Sequence, residues 1–341
     1  MATKYLTFGE LLLRFSNQHQ MRLMQDSLLA GKFGGSEANV AVSLATLGDD
    51  VQYVTRLPDN RVGHAGALAL SGYQVGVKHV IFGGPRIGTY YFEEAAGMRS
   101  AKVIYDRANS AYSELKPGMI PWREILKDVD VFHTSGITGA ITREAADATF
   151  EALDIATEMG KTISYDINYR KNLWQYGAAP KEVLSRMLSY ADVVFADQIE
   201  YEFMTDNYSL PFRAVDANYP IDKDGYARWF DDIHARWPRC QNWLLGTRNL
   251  VSSNHHTMTA LLWHKGETLT TRIYDIPGII DPVGVGDAFA AGFIHSYAQH
   301  PDNPQHCLDY SLAAATLKTS VPGDFNLVTD EEVTELMNRR L

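Results

Sequence analysis

A glycine-rich segment near the C-terminus places one acidic side chain at the start of a helix. Gly284, Val285 and Gly286 precede Asp287, and the aromatic residues that follow have the spacing of one helical face. Glycines at a helix start let successive backbone N–H groups converge, and the helix dipole adds partial positive charge, so the segment favours an anion. A carboxylate there would repel a phosphate unless it accepts a proton from the attacking group. The segment therefore predicts phosphoryl transfer to a hydroxyl, with Asp287 as the base.

Other interpretations of this segment stay open. Asp is favoured in the first turn of any helix, so a capped helix start without chemistry explains the same residues. A Walker A loop is excluded because no Gly-Lys-Ser/Thr follows. A dinucleotide-binding fingerprint fits poorly, since the third glycine is misplaced and the motif lies near the C-terminus.

The composition is that of an ordinary globular protein and argues against some partners. The 341 residues allow one large domain, or a large domain with a small one. Hydrophobic residues at 45% and charged residues at 21% are typical of globular chains. The formal net charge of −10 argues against nucleic acid or an anionic membrane as the main partner.

The cysteines and the N-terminus indicate a reducing compartment. Cys240 and Cys307 lie far apart and lack metal-ligand spacing. The chain begins without a long apolar run, and no segment approaches the ~20 apolar residues that span a bilayer. A cytoplasmic protein with buried thiols, no signal peptide and no membrane partner is therefore expected.

The order of the segments predicts the fold class. Short apolar runs alternate with helical patterns, which is typical of an α/β fold with a parallel sheet covered on both faces. Strands are predicted at 5–8, 129–133, 162–166, 193–196, 243–246 and 271–276, and helices at 143–159 and 180–190. Another glycine-led helix follows Gly34 and Gly35, with Ser36 as the predicted N-cap.

Polar residues directly follow several predicted strands. They are Ser135 with Gly136, the run 166–170, Asp197 with Glu200, and Thr247 with Arg248. Each alone is explained by a turn or a helix cap. The carboxyl ends of parallel strands share one crevice, however, and ligands of open α/β sheets bind there. Arg170 would suit a substrate carboxylate, with an interdomain salt bridge as the alternative.

Residues 88–106 have a different pattern, with the alternation of a β-hairpin. Together with residues 11–33 they predict a small sheet that forms a lid over the main domain. Tyr91, Tyr105 and Arg107 are predicted to project from one face of this hairpin, while packing in the core or in a dimer is the alternative role of the tyrosines. Residues 208–225 carry two prolines and an Asp-Lys-Asp-Gly turn, which predict a surface insertion.

With these residues in view, the chain resembles the ribokinase-like (PfkB) sugar kinases over nearly its whole length. The run from Gly34 to Asn39 and onward is similar to the family's N-terminal signature, and residues 281–292 are similar to its C-terminal signature. Within the family the chain is most similar to the 2-keto-3-deoxygluconate kinases. That similarity rests on residues 9–15, 105–108, 166–174 and 317–326.

The resemblance implies a Rossmann-like three-layer α/β ribokinase fold. It implies one kinase domain over residues 1–341, interrupted by a small β lid formed by about 11–33 and 86–108. The expected activity is ATP-dependent phosphorylation of the primary hydroxyl of 2-keto-3-deoxygluconate, with Mg²⁺ as a cofactor and a homodimer formed through the lid.

The family's functional positions are matched residue by residue. Gly34, Gly35, Asn39, Tyr91, Tyr105, Arg107, Arg170 and Asp287 match the substrate site. The anion hole is matched by Gly284, Val285, Gly286 and Asp287, with Asp287 as the catalytic base. The nucleotide site is matched by Thr247, Arg248, Gly284, Gly286, Pro322 and Gly323.

Two departures from the family pattern are present. Asp281-Pro-Val replaces the usual Asp-Thr-Thr, and the proline stiffens the approach to the anion hole. The family's Asn-x-x-Glu motif, associated with Mg²⁺ and phosphate, appears as Asp197-x-x-Glu200, and these two carboxylates are assigned to the metal. The extra carboxylate either strengthens a site for a hard cation or repels the nucleotide.

Alternative functions remain at this point. A fructokinase or another hexose kinase on the same scaffold is the nearest alternative. A non-catalytic sugar-binding regulator is the alternative from a different class. The presence of Asp287 with both glycines of its loop favours an enzyme.

Overall fold

The computed structural model describes residues 2–17, 20–210 and 221–339 of the chain. Most of the surface insertion predicted at 208–225 lies outside the described residues. Cys240 and Cys307 are both free and buried.

The described residues form strands and helices that alternate along much of the chain. The strands are β1 (Lys4–Phe8), β2 (Leu12–Ser16), β3 (Ala30–Gly34), β4 (Asp50–Val54), β5 (Arg56–Leu57), β6 (Ile81–Phe82), β7 (Gly88–Glu93), β8 (Lys102–Asp106), β9 (Val131–Ser135), β10 (Thr162–Asp166), β11 (Val193–Ala196), β12 (Asn242–Ser252), β13 (His255–His264), β14 (Glu267–Thr270) and β15 (Tyr274–Pro277). The α-helices are α1 (Ser36–Thr46), α2 (Arg61–Gly72), α3 (Trp122–Ile125), α4 (Arg143–Glu158), α5 (Pro180–Leu188), α6 (Gln198–Thr205), α7 (Lys223–Arg236), α8 (Val285–Gln299), α9 (Pro304–Lys318) and α10 (Asp330–Asn338).

The large central sheet has the order β14-β13-β12-β11-β10-β9-β1-β4 within the described residues, with β15 beside β13. The strands from β12 to β4 are parallel, which confirms the parallel sheet expected from the sequence. Strands β13, β14 and β15 are antiparallel, and the sequence prediction missed the first two. They were missed because β12 continues past Gly246 into polar residues before the chain reverses.

Two apolar cores lie on opposite faces of the central sheet. Leu6 and Phe8 of β1 belong to the core that includes α4, α5 and α7. Tyr5 and Val51 belong to the core that includes α1, α8 and α9. Successive side chains of a strand point to opposite faces, so a strand buried on both sides must be apolar throughout. This arrangement makes three layers, with helices on both faces of the sheet.

A separate four-stranded sheet has the order β3-β2-β7-β8 and falls almost entirely within residues 11–33 and 86–108. We call it the small sheet. Tyr90 lies opposite Tyr105, whereas Tyr91 lies opposite Ile104 and stacks on Phe15 at 5.7 Å between ring centroids. The prediction that Tyr91 shares a face with Tyr105 and Arg107 is therefore wrong. The predicted alternation was right in period but one residue out of phase.

Helices α1 and α8 both begin at glycines and pack against each other. Gly35, rather than the predicted Ser36, is the N-cap residue of α1, and Ser36 is its first helical residue. Gly284 is the N-cap residue of α8 and has a left-handed backbone with φ 81°. Ser36 is consequently free to bond to a group outside its own helix.

Across residues 2–17, 20–210 and 221–339, the helices are all too short or too polar to cross a membrane.

Candidate active site

A cleft of about 790 Å³ collects most of the residues that the sequence assigned to a site. It lies between the carboxyl ends of the central strands, the first turns of α1 and α8, and Tyr90, Phe92 and Tyr105 of the small sheet. Its lining includes the assigned residues Gly35, Asn39, Tyr105, Arg107, Arg170, Asp197, Glu200, Thr247, Arg248, Gly284, Val285, Gly286 and Asp287.

Four assigned residues do not line the cleft: Gly34, Tyr91, Pro322 and Gly323. Gly34 is required by packing, because a Cβ there would lie 2.2 Å from Asp324 Oδ2. Gly323 donates its backbone N–H to Asp281 Oδ2 at 2.9 Å, and Pro322 is exposed beside it. Asp324, next in the chain, does line the cleft.

Asp287 is held by hydrogen bonds from α1. Ser36 Oγ donates to Asp287 Oδ1 at 2.8 Å, and Asn39 Nδ2 donates to Asp287 Oδ2 at 2.7 Å. Burial raises the pKa of Asp287, while these two hydrogen bonds and the Arg170 charge lower it. Each carboxylate oxygen has one protein donor and keeps a further lone pair. The carboxylate is therefore oriented and still able to accept a proton.

The two donors to Asp287 are themselves oriented. Asn168 Nδ2 donates to Ser36 Oγ at 2.9 Å, so the Ser36 hydroxyl proton is directed at Asp287. Asn39 Oδ1 accepts from the Gly35 N–H at 3.3 Å, which leaves the Asn39 amide nitrogen toward the carboxylate. Asn168 has a left-handed backbone with φ 42°, a conformation that asparagine tolerates better than most residues. From the sequence, Ser36 was expected only as a helix N-cap, and Asn168 only as part of the polar run 166–170 at a strand end.

The start of α8 forms a cradle of backbone donors. Its first amides have no intrahelical acceptor, and no side chain caps them. Gly284 has to be glycine on two grounds: its φ of 81°, and the 2.1 Å distance at which a Cβ would meet the Asp324 carbonyl oxygen. Gly284, Val285, Gly286 and Asp287 all line the cleft, so this cradle can bind an anionic group.

Arg107 already has a protein partner. Its Nε donates to Glu10 Oε2 at 2.8 Å, its Nη2 contacts the same oxygen, and Ser110 Oγ donates to Glu10 Oε1 at 2.6 Å. The side chains of Arg107 and Glu10 are both buried. The charge of Arg107 is consequently balanced by Glu10, which the sequence analysis did not foresee.

Arg170 differs from Arg107 in having no salt bridge with any described residue. Its side chain is exposed to the cleft. The walls of the cleft desolvate the guanidinium and oppose its charge, but the Tyr105 hydroxyl and the nearby carboxylates, Glu200 first, outweigh that effect and raise its pKa. Arg170 is therefore a cation available to an anionic ligand.

Asp197 and Glu200, the residues assigned to the metal, form the capping box of α6. Asp197 Oδ1 accepts from the Glu200 N–H at 2.8 Å, and Glu200 Oε2 accepts from the Asp197 N–H at 3.0 Å. Tyr169 N–H donates to the other Glu200 oxygen at 2.7 Å. These bonds give both carboxylates a role in local structure.

Asp166 adds a second carboxylate beside Glu200 in the cleft. Burial raises the pKa of both groups, that of Glu200 to about 7, and the charge of Glu200 raises that of Asp166 further. Kinase Mg²⁺ is usually bound by one or two carboxylates together with phosphate oxygens, and this pair fits that pattern. No cluster of three or more potential metal ligands occurs among the residues that the structure describes.

Two of the residues assigned to the nucleotide, Thr247 and Arg248, lie in the middle of β12 and line the cleft. Thr247 Oγ1 donates to the Thr259 carbonyl at 3.0 Å, while Arg248 is exposed there. The walls of the cleft desolvate the Arg248 guanidinium and lower its pKa, and the charge of Asp197 partly offsets this effect.

Glu37 is a buried acid that the sequence analysis did not assign. It lines the cleft, its side chain accepts a hydrogen bond from Ser135 Oγ, and it is 1% exposed. Burial raises its pKa to about 7. In the sequence it is indistinguishable from any acidic residue in the first turn of a helix.

Known proteins similar to this chain are carbohydrate kinases. The family model described as pfkB family carbohydrate kinase matches residues 2–211. The structure of 2-dehydro-3-deoxygluconokinase from Thermotoga maritima is 32% identical and covers 99% of each chain, with a TM-score of 0.90. A PfkB family carbohydrate kinase from Listeria grayi is 30% identical, covers 99% of this chain and 100% of its own, and has a TM-score of 0.89. The 2-dehydro-3-deoxygalactonokinase of Haloferax volcanii is 29% identical over 337 residues, covering 99% of this chain and 97% of the relative.

We predict that Glu37→Gln changes how stability depends on pH. The folded pKa of about 7 lies above the unfolded value of 4.5, so the folded state binds the extra proton between these limits. The stability that protonated Glu37 provides is complete below pH 4.5 and is lost as pH rises through 7. Wild type should therefore lose about 2–3 kcal/mol more than Glu37→Gln over this window, measured by urea unfolding.

The control is Glu335→Gln, which removes a carboxylate 72% exposed on α10. It should follow the wild-type profile. Parallel pH profiles for wild type and Glu37→Gln would show that Glu37 is not protonated in the folded protein.

Proposed function

Since the chain belongs to the pfkB family of carbohydrate kinases, we propose that it phosphorylates the primary hydroxyl of 2-keto-3-deoxygluconate or a close epimer, with ATP as the donor. The observation that carries this proposal is Arg170, an arginine without a salt bridge among the described residues that faces the same cleft as Asp287. A guanidinium in this position suits a sugar acid better than a neutral sugar. The names of two similar full-length proteins, a gluconokinase and a galactonokinase of the 2-dehydro-3-deoxy type, support the same substrate class.

The proposed reaction uses Asp287 as the general base. The sugar hydroxyl oxygen attacks the γ-phosphorus in line, a new O–P bond forms, and the bond from the γ-phosphorus to the β,γ-bridging oxygen breaks, releasing ADP. Asp287 accepts the hydroxyl proton through a lone pair that Ser36 and Asn39 leave free. Its elevated pKa makes it a better base than an ordinary aspartate.

The anion hole is proposed to act on the transferred group. Backbone donors from Gly284 to Asp287 face the cleft at the positive end of α8 and would offset charge on the phosphoryl oxygens. Their positions are set by the helix, so they need no rearrangement during the reaction.

Mg²⁺ and the nucleotide are proposed to bind beside this hole. Asp166 and Glu200 would hold the cation, which when bound would offset negative charge on the phosphates. Arg248 and Thr247, together with the Pro322–Gly323 turn, would border the nucleotide. Asp197 keeps its capping role in this arrangement.

The outer face of the small sheet is proposed to join two copies into a homodimer. Phe15 and Tyr91 stack on this face, and Ile104 beside them is 53% exposed. Strand β8 is also an unpaired edge of the sheet within the described residues. A small sheet with an apolar face and a free edge is stabilised when a second copy covers it.

The proposed function is tested by ADP release with purified wild-type protein. The panel contains 2-keto-3-deoxygluconate, its galacto epimer, fructose, glucose and ribose, each with ATP and Mg²⁺. The two acids should give the highest kcat/KM. Equal turnover of fructose would favour the hexose kinase alternative, and no turnover of any sugar, with binding retained, would favour a regulator.

Asp287→Asn should fold, bind ATP and lose most turnover. General-base contributions are typically ~10²–10⁴-fold, and Asn can still accept and donate hydrogen bonds with Ser36 and Asn39. The measurement is kcat with the best acid substrate, alongside ATP binding by calorimetry. Asp59→Asn, at a carboxylate 72% exposed, is the control. A kcat within a few-fold of wild type would exclude Asp287 as the base.

Arg170→Ala should raise KM for the sugar acid much more than KM for ATP. Loss of a hydrogen bond to a charged group costs about 1.5–3 kcal/mol, which is roughly 10- to 100-fold in KM. Arg248→Ala is the matched variant, because the same loss on the nucleotide side should raise KM for ATP instead. Equal effects of Arg170→Ala on acids and on neutral hexoses would contradict the carboxylate pocket.

Ile104→Lys should convert the proposed dimer to a monomer, since it places a charge in the outer face of the small sheet. The measurement is light scattering at assay concentration. Leu68→Lys, at a leucine 73% exposed on α2, is the control and should leave the dimer intact. A wild-type protein that is monomeric and fully active would contradict the proposed dimer, but it would not affect the proposed role of Asp287 as the base.

A further inference from the structure

Arg14 connects the small sheet to the loop before the anion hole. It lies on β2, and its Nη1 contacts Asp324 Oδ1 at 2.9 Å and Asp281 Oδ2 at 3.1 Å. The guanidinium also stacks 4.3 Å from the centroid of the Phe92 ring on the neighbouring strand β7. The side chain is 2% exposed. One residue of the small sheet thus reaches two separate segments of the main domain.

Both carboxylates bound by Arg14 shape the backbone around Gly284. Asp281 Oδ1 accepts from the Val283 N–H at 3.0 Å, and Asp281 Oδ2 accepts from the Gly323 N–H at 2.9 Å. The Asp324 carbonyl packs so closely on Gly284 that a Cβ would lie 2.1 Å away. Movement of either carboxylate would therefore move the first amides of α8.

Further contacts add Tyr90 and Lys318 to the cluster formed by Arg14, Asp281 and Asp324. Tyr90 on β7 donates its hydroxyl to Asp324 Oδ2, so a second strand of the small sheet holds the same carboxylate. Lys318 is fully buried, and its Nζ donates to the Val321 carbonyl at 2.9 Å. It lies next to Gly284, because a Cβ on Gly284 would be 3.2 Å from the Lys318 Cε. Two cations and two anions balance, and removal of any one would leave a buried charge uncompensated.

We propose that Arg14 is a positioning residue that couples the seating of the small sheet to the geometry of the anion hole. When the small sheet is seated, Nη1 of Arg14 holds both Asp281 and Asp324, and these fix the amides from Gly284 to Asp287. When the sheet is displaced, both carboxylates lose their partner and the hole loses its shape. The kinetic part of this inference rests on the proposed function, because the anion hole acts on a transferred phosphoryl group.

The first test uses Arg14→Lys, which keeps the charge but ends one atom short of the Nη1 position that contacts both carboxylates. The expected result is a loss of at least 10-fold in kcat with KM for ATP within about 2-fold of wild type, since the hole acts on the transition state. Unchanged kcat would overturn the proposal.

A second variant removes the Arg14–Asp324 ion pair without leaving a net charge. In Arg14→Met with Asp324→Asn, Asp281 and Lys318 remain as one anion and one cation. It should match or exceed the kcat loss of Arg14→Lys. The matched control is Arg56→Met with Glu114→Gln, which removes an ion pair of 3.0 Å whose residues do not line the cleft. A similar kcat loss in the control would show a general effect of removing ion pairs and would overturn the proposal.

Amide hydrogen exchange provides a readout that needs no turnover. Arg14→Lys should exchange faster than wild type at residues 281–287 and 322–326, while β9 and β10 keep their protection. Faster exchange throughout the protein, or none at the two loops, would overturn the coupling. If wild type phosphorylates no sugar acid, the proposed function fails, and the exchange measurement still decides the role of Arg14.

Discussion

To act as the proposed base, the Asp287 carboxylate has to be held in place without being neutralised, and much of the structure serves this requirement. A buried carboxylate without partners is strongly disfavoured, whereas one that is paired with a cation at short range is a weak base. Here α8 supplies the acid and α1 supplies two neutral donors, Ser36 and Asn39. The two helices therefore have to begin side by side at the same end of the sheet. Each begins at a glycine because neighbouring backbone, the Glu10 carbonyl at Gly35 and the Asp324 carbonyl at Gly284, leaves no room for a Cβ.

The distribution of charge around Asp287 follows the same logic. Arg107 is balanced by Glu10 and Arg14 by Asp281 and Asp324, so these arginines hold structure together. Arg170 and Arg248 are exposed in the cleft, and burial raises the pKa of both Asp166 and Glu200. The two arginines without a salt bridge among the described residues would match two anionic substrates, and the two carboxylates would match a cation.

The sequence predicted those features that depend on neighbouring residues. The parallel strands, the glycine-led start of α8 and the shared crevice at the strand ends all follow from short patterns, and the structure has them. The pairing of charges does not, because Arg107 and Glu10 are 97 residues apart and Arg14 and Asp324 are 310 apart. A single sequence states that an arginine is present but not whether a distant carboxylate already neutralises it. For the same reason Glu37 was indistinguishable from a helix-start acid until its burial was known.

The error at Tyr91 shows how two functions can share one small sheet. Along β2 and β7, Leu12, Arg14 and Tyr90 point toward the cleft and the main domain, and Phe15 and Tyr91 point away. Because side chains alternate, a shift of one residue would exchange these two sets completely. Arg14 and Tyr90 of the inner set bond to Asp281 and Asp324 in the loops around the anion hole, and the outer set is left for the proposed partner copy. The proposed contact between copies and the seating over the cleft would therefore be carried by different side chains of the same strands, so substitution of one set need not disturb the other.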